Sequence, residues 1–177
     1  AGDLSGAEEA YRSALAADEG DIRAMHNMGV VAYRRGQWQE ARVRFERCLR
    51  DLPHRADLSY QKGLCAEKLG DDAGAESDWL KAIDRDPNHF RARFQLALLY
   101  AGGAAPGSAD RQKAVAQLGA IVSACEEGAA FESLDRVCFL LASLLDDFPD
   151  FNQRAIEIYR KGLEVDSLFA PGHNNLG

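Results

Sequence analysis

Apolar and small residues along 22–89 recur in two alternating phases, each closed by a residue that breaks helices. In the first phase Met25, Met28 and Gly29 lead to Gly36; in the second Ala41, Phe45, Cys48 and Leu49 lead to Pro53. Spacings of three and four residues put each set on one helical face, so the pattern predicts two helices joined by a glycine turn and stopped by a proline. The scheme returns 34 residues later as Gly63, Gly70, Ala75, Trp79, Ala82, Ile83 and Pro87. Small, aromatic and breaker residues matching at one fixed offset define a repeated helix-turn-helix unit, which buries its apolar face largely against its neighbours.

The register extends in both directions. Ala7, Tyr11, Ala14 and Leu15 stand one offset before Ala41, Phe45, Cys48 and Leu49, so residues 1–21 read as the second half of an earlier unit. Downstream, Leu96, Ala97 and Tyr100 open a further unit, which the stretch Ala-Gly-Gly-Ala-Ala-Pro-Gly-Ser over 101–108 interrupts before Ala114 and Leu118 resume the pattern. Such a stretch has too little apolar surface to offset the entropy of ordering it, and it predicts a loop between two helices. After Cys125 the register slips again, and Leu134, Val137, Leu140, Leu141, Leu144 and Leu145 predict the next helix. Asp146 to Asn152, with Pro149, reads as a turn; Ala155, Tyr159, Gly162 and Leu163, then Leu176 and Gly177, continue the scheme.

These residues resemble the tetratricopeptide repeat (TPR) pattern of Trp-x2-Leu-Gly-x2-Tyr, Ala-x3-Phe and Pro over two antiparallel helices. Met25, Met28 and Gly29 take the Trp, Leu and Gly places, whereas Ser59 and Lys62 depart from the large apolar residues expected at the start of the second unit. The resemblance implies an all-α, right-handed α-solenoid of four full repeats, 22–55, 56–89, 90–128 and 129–169, flanked by half repeats at 1–21 and 170–177. It also implies a single solenoid fragment that begins and ends inside repeats, with neighbouring TPR repeats of a parent chain as its first partners.

In this family the first helices line a concave groove that binds peptides. Helical geometry puts the second, fifth, sixth and ninth places of each unit on one face. The fifth places read His26, Tyr60, Phe94, Phe139 and Asn174, mostly aromatic, and aromatic rings concentrate at binding hot spots. The sixth read Asn27, Gln61, Gln95, Leu140 and Asn175; the Asn positions are similar to an asparagine ladder in a glycosyltransferase's TPR superhelix, where amides hold a peptide backbone. Val30, Leu64 and Leu98 at the ninth places add an apolar wall, and Arg23 and Arg91 add positive charge. The expected partner is a protein or peptide segment with apolar and acidic residues. Padding between neighbouring helices is the structural alternative for the aromatic row. Of the cations in the clamp by which some TPR domains hold Hsp70 or Hsp90 tails, only Arg91 is kept, so no such clamp is expected.

Composition narrows the classes further. With 21 basic against 28 acidic residues the net charge is −7, opposite in sign to the footprint of a general nucleic-acid binder. No apolar run approaches the ~20 residues of a membrane-spanning helix, so no membrane insertion is expected. His26, His54, His89 and His173 are dispersed and Cys48, Cys65, Cys125 and Cys138 lack paired spacing, so neither metal nor cofactor is expected. Gly102-Gly103 lacks the Gly-Lys-Ser/Thr of a phosphate loop, and Asp71-Asp72 and Asp146-Asp147 read as turn or capping residues. The thiols read as reduced core residues of a cytoplasmic-type protein.

The leading expectation is therefore a non-enzymatic interaction scaffold. A substrate-selecting arm of a larger enzyme and a structural rod packing through its convex faces and ends are the alternatives. Limited proteolysis should cut the segment 101–108 before any other internal site; first cleavage at the turns around Gly36 or Gly70 would overturn these repeat boundaries.

Overall fold

The computed structural model describes residues 4–145, 156–158 and 160. Every regular element among them is an α-helix, and the residues cluster into two compact units, Ala1–Pro87 and Asn88–Gly177. The first unit contains α1 (Leu4–Ala17), α2 (Ile22–Arg34), α3 (Trp38–Asp51), α4 (Ala56–Lys68) and α5 (Asp72–Arg85). The second contains α6 (Phe90–Ala101), α7 (Ala109–Glu126) and α8 (Leu134–Leu145). Hairpins α2–α3 and α4–α5 lie inside the expected repeats 22–55 and 56–89. The turn residues, Ala155, Tyr159, Gly162 and Leu163, and the start of a final repeat proposed after Leu145 lie outside the described residues.

Each hairpin of the first unit closes on one contact. A methyl group at Gly29 would lie 2.7 Å from Phe45 Cε1, and one at Gly63 would lie 2.5 Å from Trp79 Nε1. The absent side chain on the first helix is thus the space that the aromatic ring of the second occupies. Phe45 is 1% exposed and Trp79 is fully buried, and the indole N–H of Trp79 donates to the Tyr60 carbonyl at 3.3 Å. In the second unit the same places hold Ala97 and Leu118, both fully buried in one core. A larger residue on one helix accompanies a smaller one on the other, as close packing requires.

The tips follow from glycine stereochemistry. Gly36 and Gly70 adopt φ of 77° and 75°, and the amides of the residues that follow, Gln37 and Asp71, bond back to the carbonyls of Ala32 and Ala66 at 2.9 Å. This is the left-handed glycine closure of a helix end. Asp71 then accepts from the Gly74 amide at 2.9 Å, capping α5, and pairs with Arg42 at 3.0 Å; Asp21 caps α2 by accepting from the amides of Arg23 and Ala24. The longer α6–α7 connection contains Gly103 and Gly107, also at positive φ, and Ser108 caps the helix that follows it.

The second repeat departs from the family pattern at Ser59 and Lys62, which predicts a weakened inward face, and here the structure adds a compensation. Ser59 is 1% exposed and its hydroxyl accepts from the Arg85 guanidinium of α5. Lys62 reaches Asp78, also buried, at 3.4 Å. Apolar contacts between α4 and α5 are replaced in part by buried charge-assisted bonds, which hold only while both partners are present.

Because its indole fills the space above Gly63, Trp79 sets the limit on that position. Gly63→Ala should cost about 1–3 kcal/mol despite the better helix propensity of alanine. Combined with Trp79→Leu, the loss should fall short of the two single losses added together by about 1 kcal/mol. Urea denaturation of the four proteins measures this; strict additivity would refute the contact.

Candidate functional site

In the first unit the predicted surface residues converge around α2 and α4. His26 is half-buried, with its ring 5.9 Å from that of Phe45 at an angle of 50°. Its Nε2 lies 2.9 Å from Gln61 Oε1, joining the fifth place of one repeat to the sixth place of the next, and its Nδ1 lies 3.3 Å from Asn27 Oδ1. Three residues proposed separately are thus one polar cluster.

A cavity of about 310 Å³ opens beside this cluster. Arg23, His26 and Asn27 contribute to its wall from α2; Ile22, Leu52 and Leu58 supply apolar surface, and Arg55 supplies a second guanidinium. Asp57 stands 3.7 Å from Arg55 across an exposed ion pair, whereas the Arg23 side chain makes no bond among the described residues. Ile22, Leu52, Arg55 and Leu58 have no place in the family pattern of groove positions. The signal that points to them is the junction itself: Leu52-Pro53 ends one repeat where Arg55 and Ala56 begin the next, so the chain turns beside the first helices there.

The other candidates of this unit lie nearby with different surroundings. Val30 packs against the core of the first unit. Tyr60 and Leu64 are half-buried. The Tyr33 hydroxyl is pushed above its ordinary range, first by burial and then by the neighbouring Cys65, Glu67 and Tyr60.

The second unit differs from the expectation at two positions. Phe94 is only 8% exposed; Phe131, from the connection after α7, packs edge-on against it at 6.4 Å, and the Arg136 guanidinium stands 5.4 Å from its ring centre. Arg91 donates twice to Glu132 Oε1, at 2.9 and 2.6 Å, so its charge is matched. The carboxyl of Glu132 lies below its ordinary range through hydrogen bonds from its own backbone and from Arg91. Phe139 packs against the core of this unit, Gln95 is half-buried and Leu98 is 38% exposed. Asn175 lies outside the described residues. Phe131 and Glu132 were not foreseeable, because a connection between helices has no periodicity to mark inward residues.

Among the described residues no group of three or more His, Cys, Asp or Glu side chains is arranged to hold a metal ion, and no helix is long and apolar enough to cross a membrane. All four thiols are free; Cys48, Cys65 and Cys138 are buried and Cys125 is partly exposed. Burial pushes the thiols of Cys65 and Cys138 up to about 12 and about 11. A thiol whose folded-state value is raised favours folding while it stays protonated. The contribution of Cys65 is therefore complete below the ordinary value of 9.0 and is lost as pH rises toward about 12. Iodoacetamide at neutral pH should accordingly modify Cys125 first in the folded chain and spare the other three, as read by peptide mass spectrometry; rapid modification of Cys65 would contradict the packing of α4.

Comparison with known proteins agrees with this architecture. Residues 26–90 match the sequence profile of the tetratricopeptide repeat, while a search of curated proteins finds no match. Among solved structures, YrrB, described as a TPR protein with an unusual peptide-binding site, is 20% identical with a TM-score of 0.70, over 98% of this chain and 83% of its own. MamA from Desulfovibrio magneticus RS-1 is 23% identical with a TM-score of 0.69, over 89% and 82%. TTC0263, a thermophilic TPR protein from Thermus thermophilus, is 18% identical with a TM-score of 0.64, over 99% and 89%. The chain thus has the tetratricopeptide-repeat fold, and its residues 26–90 match the sequence profile of that family.

Proposed function

We propose that the chain is a non-enzymatic scaffold that binds a segment of a partner protein on the first-helix surface of the unit Ala1–Pro87. The observation that carries this reading is the composition of one cavity: Ile22, Leu52 and Leu58 offer apolar surface, Arg23 and Arg55 offer positive charge, and His26 and Asn27 offer hydrogen bonds. Apolar burial supplies affinity, and the cations favour a segment with acidic residues beside its anchor. The local sign is opposite to the net charge of −7, so attraction there is selective. The peptide-binding site named for YrrB supports the same class of partner. In the second unit, the covered ring of Phe94 and the matched charge of Arg91 give less support to a partner site. Buried free thiols fit a reducing, cytoplasmic-type compartment.

Peptides selected from a random-sequence display library on the folded chain should carry an aliphatic or aromatic residue flanked by Asp or Glu. Arg23→Glu, at an exposed site, should leave the circular dichroism unchanged and weaken binding about tenfold, as read by fluorescence anisotropy. Selected peptides without that signature, or binding untouched by Arg23→Glu, would overturn the proposal.

A further inference from the structure

We propose that Phe131 and Glu132 are a built-in occupant of an interaction surface on α6, and that a partner segment carrying an aromatic residue followed by an acidic one displaces them and binds in their place. The surface belongs to the unit Asn88–Gly177 and is independent of the cavity in the first unit.

Phe90 and Phe94 stand one turn apart on α6, and Arg91 follows the first of them. Phe131, from the connection between α7 and α8, meets both rings edge-on, at 5.9 Å and 69° to Phe90 and at 6.4 Å and 67° to Phe94. The next residue, Glu132, accepts two hydrogen bonds from the Arg91 guanidinium at 2.9 and 2.6 Å. Two consecutive residues of an irregular segment thus fill an aromatic site and neutralise the cation beside it. A short linear segment engages a helix face in this way, with a ring as anchor and a charge for orientation. The cover over Phe94 and the match to Arg91 keep other segments off this surface while the connection is closed. They also show which side chains the surface accepts.

The hold on α6 is light. Main-chain bonds fix the ends of the connection, from the Ala129 amide to the Ala124 carbonyl at 3.0 Å and from the Leu134 amide to the Phe131 carbonyl at 3.3 Å; among the described residues none joins it to α6. Phe131 is half-buried, and the side chains of Arg91 and Glu132 are 62% and 59% exposed. An ion pair this open adds little stability and is screened by salt. The connection therefore holds its place chiefly as a tethered ligand, through the high local concentration that a short tether imposes. Phe90 and Phe94 lose apolar cover when Phe131 leaves, so opening is favourable only when another ring takes its place. The Arg136 guanidinium of α8, 5.4 Å from the centre of the Phe94 ring, adds a second positive group beside that place.

The test uses a fluorescein-labelled peptide of residues 127–135 as the probe, with Arg23→Glu in every chain so that the cavity of the first unit does not contribute. A chain carrying Phe131→Ser and Glu132→Ser should bind the probe about tenfold more tightly than one with its connection intact, as read by fluorescence anisotropy. Adding Arg91→Glu should abolish that gain. Equal affinity with and without the connection's own residues, or a gain that survives Arg91→Glu, would overturn the proposal. A second reading does not depend on the folding of the variant: on the natural sequence with isotope-labelled phenylalanine, unlabelled peptide at millimolar concentration should shift the ring signals of Phe90, Phe94 and Phe131 while the circular dichroism stays unchanged. Ring signals that stay fixed under excess peptide would make Phe131 a permanent part of the core and sink the idea.

Discussion

The hairpins of the first unit depend on an absence. Gly29 and Gly63 have no side chain where Phe45 and Trp79 place their rings, and a single added carbon at either position would stand within 3 Å of the ring. That close approach sets how deeply the second helix of a pair sinks into the first. Other features follow from it: the faces that remain apolar, the tip that Gly36 or Gly70 must turn, and the ends where Asp21 and Asp71 cap the backbone. In the second unit Ala97 and Leu118 divide the same space differently, which shows that a sum of volumes is constrained and not one residue.

Next to this apolar contact, α4 and α5 hold a polar one. Lys62 and Ser59 remove apolar surface from the first helix, and Asp78 and Arg85 on the second answer them. Buried charges of this kind contribute little net stability, since desolvation offsets most of their attraction. Their effect is on choice of partner: a helix bearing Asp78 and Arg85 matches α4 and would leave unpaired groups against an ordinary apolar first helix. The repeat that looks weakest by its pattern is in this sense the most particular about its neighbour.

Much of the fold was legible because the contacts responsible for it are periodic. Gly29 with Phe45 and Gly63 with Trp79 recur at one spacing, and the glycine-rich stretch before Ser108 advertises its loop through composition alone. The candidate site was legible only in part. His26, Asn27, Gln61 and Arg23 follow from helical phase, but their joining through one imidazole depends on rotamers that no spacing encodes. Arg55 and Leu52 enter through a junction, and Phe131 and Glu132 through a connection, where neither helical nor strand periodicity applies. Phe94 shows the limit most plainly: its phase puts it on the surface of first helices, and a residue from an irregular segment covers it.

His26 touches the ring of Phe45 on one side and the amides of the outer surface on the other. One side chain is thus shared between the interior of a hairpin and the surface where we propose that a partner binds. A new binding preference at this position cannot be acquired by changing the outer face alone, because any replacement must also pack against the phenylalanine that fills the space above Gly29. Divergence of specificity here is tied to the history of the core, and substitutions at the fifth place should travel with substitutions at Phe45 among sequences descended from this one.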